Sequence, residues 1–139
     1  IKAACNILDA CISHIYHQRM LEVRNLDTAQ QIEKYINDNI AWDLSIEHLC
    51  AHFSVSRAEL YQIFHTSFNS SVADYIRSKR ISMAEQMIRS TAMQVSEIAS
   101  NVGFYDYNYF SKVFHRKFGC SPREYRKKLE SGSEAADKK

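Results

Sequence analysis

Two apolar patterns written one after the other leave this chain few folds to choose from. The first runs Ile46, Leu49, Phe53, then Ser56, Leu60, Ile63 and Phe64; the second runs Val95, Ile98, Val102, then Asp106, Phe110, Val113 and Phe114. In each, apolar residues recur at helical steps, break at a tight turn, and resume behind a residue able to cap a helix. That is a helix-turn-helix pattern, and it occurs twice. Only three glycines and one proline interrupt the 139 residues, so a mostly helical chain follows. No convincing strand alternation competes with it.

Capping residues mark the helix starts. A capping box sets Ser, Thr or Asp at the cap and Glu or Gln three residues later, satisfying orphan amides of the first turn. Ser56–Glu59 fits fully, Asp27–Gln30 fits with an Asp cap, and Ser121–Glu124 fits with Pro122 in the first helical position. Ser71 with Asp74 is a near match. Val55 and Leu60 flank Ser56, and Tyr105 and Phe110 flank Asp106, as hydrophobic staples. These signals predict an N-terminal helix over about 1–24 and helices at roughly 28–39, 46–53, 57–67, 72–90, 95–101, 107–117 and 122–129.

The expected fold is all-α. A seven-helix domain over 27–128 holds two helix-turn-helix subdomains, at about 45–68 and 94–118, joined by the long linker helix 72–90. An extra helix over 1–26 precedes it, and the polar stretch 129–139 is expected to be a disordered tail. The second turn is one residue longer than the first and contains Gly103, suited to a positive φ; the first has only Ser54.

Composition narrows the function. No run of about 18 apolar residues is present, so no membrane span is expected. The first 25 residues, interrupted by Asp9, His14, His17, Arg19 and Glu22, do not read as a signal peptide. Residue 1 is Ile, and the chain is expected to be a piece of a longer protein. Cys5, Cys11, Cys50 and Cys120 form no CxxC pair and read as free thiols of a reducing cytoplasm. His48, Cys50 and His52 look metal-like, but Cys50 points away from the two histidines, and no third ligand is evident. Cys11, His14 and His17 raise the same question, and no metal is expected at either set. Nothing supports a catalytic pair or a nucleotide-binding loop, so neither an enzyme nor a cofactor is expected.

The net charge of +2 says little, but its distribution says more. From Tyr107 to Lys128 there are seven basic residues (Lys112, Arg116, Lys117, Arg123, Arg126, Lys127, Lys128) against Glu124 alone. Arg77, Lys79 and Arg80 form a second cluster. Around the first unit the balance reverses, with Arg57 facing Asp43, Glu47 and Glu59. The second unit therefore has the stronger electrostatic case for a polyanion. The linker of about 19 residues would span roughly 28 Å, near the ~34 Å between successive major grooves on one face of B-DNA.

The segment Ile98 to Phe114 (IASNVGFYDYNYFSKVF) closely resembles the second helix-turn-helix of AraC/XylS transcription regulators, as does its continuation Phe118-Gly119-Cys120-Ser121-Pro122-Arg123-Glu124-Tyr125-Arg126. The first unit resembles the other half of that family more loosely, through Leu49, Ser56, Leu60, Phe64, Tyr75, Arg80 and Ala84. The resemblance covers about residues 27–128. It implies a seven-helix DNA-binding domain, usually joined to an upstream sensing or dimerisation domain. Against the family pattern, Cys50 replaces an Ala, Gln62 an Arg, His65 a Lys, Asn69 a Gly, Lys112 an Arg and His115 a Lys. Much permanent positive charge is thereby softened.

Helical spacing sends Leu60, Ile63, Phe64 and Phe68 of the first recognition helix inward, leaving Arg57, Ala58, Tyr61, Gln62 and His65 outward. The resemblance implies groove-facing positions at Ala58, Tyr61 and Gln62. Gln62 can pair with adenine, and Ala58 can meet a thymine methyl. On the second helix Tyr107, Asn108, Ser111, Lys112 and His115 point outward. Asn108 suits adenine and Lys112 suits guanine, with Tyr107 as a further base contact. Ser56, Arg57, His65, Ser111, His115 and Arg116 are the expected phosphate contacts, helped by free amides at both helix starts.

The expected partners are double-stranded DNA and RNA polymerase. Ile1, Cys5, Leu8, Ile12 and Ile15 fall at heptad-like spacing, with Ala4 and Cys11 beside them. Residues 1–25 are thus expected to join an upstream sensor domain to the DNA reader or to form a homodimer contact. The alternative is a helical protein-interaction module, or a signalling-helix dimer, with little direct DNA binding.

Overall fold

The computed structural model describes the backbone of residues 2–136 and the side chains of residues 6–132. Among the described residues there are seven helices and no strand: α1 (Lys2–Asp38), α2 (Ile46–Phe53), α3 (Arg57–Phe68), α4 (Val72–Ser90), α5 (Val95–Asn101), α6 (Tyr107–Phe118) and α7 (Pro122–Ala136). The caps lie where the polar residues promise them. Ser56 Oγ accepts from Glu59 N at 3.1 Å while Ser56 N donates to Glu59 Oε2 at 2.7 Å, closing the capping box of α3. Ser121 and Glu124 repeat the exchange at α7. Asp106 Oδ1 accepts from Asn108 N and Tyr109 N at α6. The cap of α2 is Ser45, whose side chain accepts from His48 N; sequence reasoning did not single it out.

Two boundaries differ from expectation. The Asp27 cap does not form, because the two expected N-terminal helices are the single helix α1. No glycine or proline stands between Arg24 and Thr28, so nothing stops the first helix. Asp27 instead takes a hydrogen bond from Gln31 one turn on, and Thr28 Oγ1 donates back to Arg24 O. At the other end α7 continues to Ala136 rather than closing near 129, with Ser131 Oγ donating back to Lys127 O at 2.6 Å. Residues 131–136 are therefore helical, and 137–139 lie outside the described residues.

The interior is divided in two. The first core gathers Ile32 and Ile36 at the end of α1, Ile40 in the turn after it, Leu49 of α2, Leu60, Ile63 and Phe64 of α3, and Val72 and Ile76 from the start of α4. The second gathers Ile81, Ala84 and Ile88 from the rest of α4 with Ile98, Val102, Phe110, Val113 and Phe114. α4 serves both, and Met83 packs against both. Each core carries the same aromatic corner. Tyr75 stands edge-on to Phe64 (5.4 Å, 80°) beside Phe68, and Tyr125 stands edge-on to Phe114 (5.5 Å, 76°) beside Phe118. Each tyrosine then donates to a glutamate of the preceding long helix, Tyr75 to Glu33 of α1 at 2.9 Å and Tyr125 to Glu85 of α4 at 2.6 Å. α4 thus does for the second unit what the end of α1 does for the first.

These corners also set a pH dependence. The Lys79 ammonium, and then the Tyr75 hydroxyl, hold the Glu33 carboxyl below its ordinary range, and the same bond raises Lys79. A depressed carboxylate adds stability above its unfolded pKa of about 4.3 and loses it as pH falls through the lower folded value. Glu33→Gln should therefore lower the melting temperature at pH 7, with the difference from the parent shrinking below about pH 4. Both side chains are partly exposed, so the shift should be modest. Melts at pH 7 and pH 3 check it; a gap that is unchanged at pH 3 would remove the ion pair as its cause.

Candidate nucleic-acid interface

α3 and α6 are equal in length and present corresponding faces. Leu60, Ile63 and Phe64 are buried on one, and Phe110, Val113 and Phe114 on the other. The opposite face of α3 exposes Ala58, Tyr61, Gln62 and His65, and that of α6 exposes Asn108, Lys112, His115 and Arg116. Asn108, Ser111, Lys112, His115 and Ser121 line one open groove along α6. The two recognition helices end alike, in a left-handed residue: Asn69 (φ 48°) after α3 and Gly119 (φ 76°) after α6. Asn tolerates this conformation, which is how the chain dispenses with the glycine the family has there.

Three expected contacts are placed less simply than helical spacing suggests. Tyr107 is half-buried, with its ring beside Phe110 and the Arg123 guanidinium 5.8 Å above it. Ser111 is half-buried on the flank of α6. Arg57 is exposed but forms an ion pair with Glu47 of α2. Among the described residues Lys112, His115 and Arg116 belong to no ion pair. Ser56 Oγ is occupied by its capping bond to the Glu59 amide. Glu59, held as a carboxylate first by the Ser56 backbone amide, keeps a negative charge at the start of α3.

His48 and His52 pack against Tyr35. Tyr35 Oη and His48 Nε2 share a 2.8 Å hydrogen bond, and the His52 ring packs 4.1 Å from the Tyr35 ring. Cys11 is exposed, Cys50 half-buried at the edge of the first core, and Cys120 buried; all three are free thiols. No described helix is long and apolar enough to cross a membrane.

Sequence reasoning missed a cleft between the two units. Trp42 (71% exposed), Tyr105 (91% exposed) and Tyr109 stand around it, with Arg77, Arg80 and Gly103 in its walls. The one available signal was the lone Trp of the chain, Trp42, in the short segment just before α2. Inside the cleft Arg80 Nε donates to Ile40 O at 3.0 Å and Arg80 Nη2 to Trp42 O at 2.9 Å.

A family model described as a helix-turn-helix domain matches residues 49–128, which takes in both units and the helix between them. The chain belongs to the AraC-type helix-turn-helix family. It is 31% identical over 100 residues to the transcriptional activator RhaR of Cronobacter sakazakii, a match covering 72% of this chain and 35% of that protein. Across the curated relatives RhaR, the Msm operon regulatory protein and YfiF, the chain spans 35% to 41% of their length. Among solved structures it is similar to the C-terminal domain of AraT, a response regulator from Geobacillus stearothermophilus, with a TM-score of 0.69, 26% identity, and coverage of 73% of this chain and 84% of that one. An AraC-type regulator from Chromobacterium violaceum shares the fold, with a TM-score of 0.66, 24% identity, and coverage of 78% and 94%. Family and fold are those of DNA-binding transcription regulators rather than of enzymes, and this AraC-type domain is a sequence-specific DNA-binding module.

Proposed function

We propose that residues 27–128 grip one face of double-stranded DNA, with α3 and α6 in successive major grooves. The observation that carries this is the repeated geometry: two capped helices of equal length, each with its apolar face buried and its polar face open. On α6, Lys112 reads guanine and Asn108 reads adenine, with Tyr107 at the rim; on α3, Gln62, Tyr61 and Ala58 read the other groove. Ser56, Arg57, His65, Ser111, His115 and Arg116 position the duplex through its phosphates. Lys112, His115 and Arg116 of α6, in no ion pair among the described residues, and the paired Arg57 of α3 favour α6 as the tighter grip. Burial beginning at Ala29 supports a domain start near residue 27.

In vitro selection of bound DNA tests the arrangement. Two half-sites about ten base pairs apart are expected, and a single enriched half-site would refute the paired engagement. Lys112→Ala should relax preference at one base position at a cost of about 1–3 kcal/mol, whereas Arg116→Ala should weaken binding to all sequences alike. Equal loss on specific and random DNA for Lys112→Ala would remove it as a base reader.

The whole regulator, on this proposal, acts at promoters and meets RNA polymerase there. The first part of α1 serves as the connector to an upstream sensor domain or as a homodimer contact. Leu8, Ile12, Ile15, Tyr16, Met20 and Val23 support that role, since all are exposed. Ile1, Ala4 and Cys5 of the expected stripe lie outside the described side chains. A pure interaction module is not favoured, since it would need neither of the matched polar faces.

A further inference from the structure

The two units share α4, and that helix changes allegiance over one turn. Ile76 belongs to the first core and Ile81 to the second. A single helix is a poor guarantee of geometry between two bodies, because helices bend and their ends adjust. A second tie exists beside it. Arg80 leaves α4 between the two cores and donates to the carbonyls of Ile40 and Trp42, beyond the end of α1 in the first unit. Its guanidinium lies directly under the turn of the second unit. A Cβ built on Gly103 would come within 2.9 Å of Arg80 Cζ, Arg80 Nε and the Ile40 carbonyl oxygen. Gly103 has φ +90° and is buried, so this close approach needs glycine twice over, for its backbone and for its missing side chain. Three segments far apart in sequence therefore meet at one planar group, three residues before the cap of α6.

We infer that Arg80 fixes the separation and angle between α3 and α6, and so determines which spacing of half-sites the protein accepts, without touching a base. It is a positioning residue. Its fork holds two carbonyls in fixed directions and offers a flat face to the Gly103 turn; a lysine keeps the charge but has neither the fork nor the plane. Losing the fork frees the second unit to swing about α4, and the energy difference between a well-spaced and a badly spaced pair of half-sites shrinks.

The inference rests on both units engaging DNA together, and the test separates the two ideas. Binding of the wild type and Arg80→Lys is measured on a single α6 half-site, on the selected two-half-site DNA, and on the same DNA with one base pair inserted. The wild type should prefer the selected spacing by about tenfold or more, and Arg80→Lys by no more than about threefold, with single half-site affinity within about twofold of the wild type. Arg80→Gln, which likewise lacks the fork, should flatten the spacing preference as well, and it stands in if Arg80→Lys does not fold. A variant that folds and binds every DNA more weakly by one common factor, keeping the spacing preference, overturns the role of Arg80. A wild type that binds one half-site as tightly as two overturns paired engagement and the spacing role with it.

Discussion

Phe114→Ala should lower the unfolding free energy by about 3–5 kcal/mol, the usual range for deleting a fully buried aromatic ring. Phe114 is 0% exposed. It packs between Phe110 at 5.8 Å and Phe118 at 4.5 Å, with Tyr125 closing the corner at 5.5 Å. No neighbour can swing in without leaving its own place in the second core, so the site collapses poorly. The loss should also be local. The first core has its own ring, Phe64, and its own tyrosine, so hydrogen exchange should show α5, α6 and α7 losing protection while α2, α3 and the end of α1 keep most of theirs. Phe64→Ala should give the mirror image. Equal loss of protection across both units would mean that the chain unfolds as one body despite its two cores.

DNA affinity should fall about a thousandfold between roughly 50 and 200 mM salt if about six phosphates are neutralised, because each releases condensed counterions. The two units should not share this dependence equally. Arg116 has no acidic partner among the described residues, so its charge is free to meet phosphate, and Arg116→Ala should reduce the salt slope by about one. Arg57 is shared with Glu47, so its phosphate contact is weaker, and Arg57→Ala should reduce the slope by clearly less than Arg116→Ala does. Glu47→Gln frees that arginine and should steepen the slope by about one while tightening binding at low salt. Titrations of the same DNA at several salt concentrations read all of these. A slope near zero for the parent would exclude phosphate contacts as the main source of affinity.

Much of the fold was legible because its signals are local. Ser56, Asp106 and Ser121 mark helix starts through bonds that span two or three residues, and a reader of side-chain types can find them. Asp27 misled for the same reason: Asp with Gln three residues on resembles a capping box, yet the pair sits inside an unbroken helix where Asp27 bonds Gln31 instead. The end of α7 was hidden because Gly132 and two serines resemble a loop while the backbone stays helical to Ala136. In the interface, the outward faces of α3 and α6 followed from helical spacing. Tyr107 was harder, because a residue in the first turn can lean back onto the core, as its ring does against Phe110. The Arg80 tie was beyond reach. Its acceptors are backbone carbonyls 38 and 40 residues away, and every residue has a carbonyl, so nothing in the residue types names those two.

The unbroken course of α1 has one more consequence. Its last turns bury Ile32 and Ile36 in the first core, while Leu8, Ile12 and Ile15 stand on the same rod of about 55 Å. With no joint along the way, orientation about the axis is conserved from one end to the other. Adding one residue near the N-terminus turns everything before it by about 100° relative to α3, whereas seven residues return it to within roughly 20°. Any domain fused ahead of α1 is thus in or out of phase with the recognition helix, and a ladder of one-residue insertions would work on it as a dial.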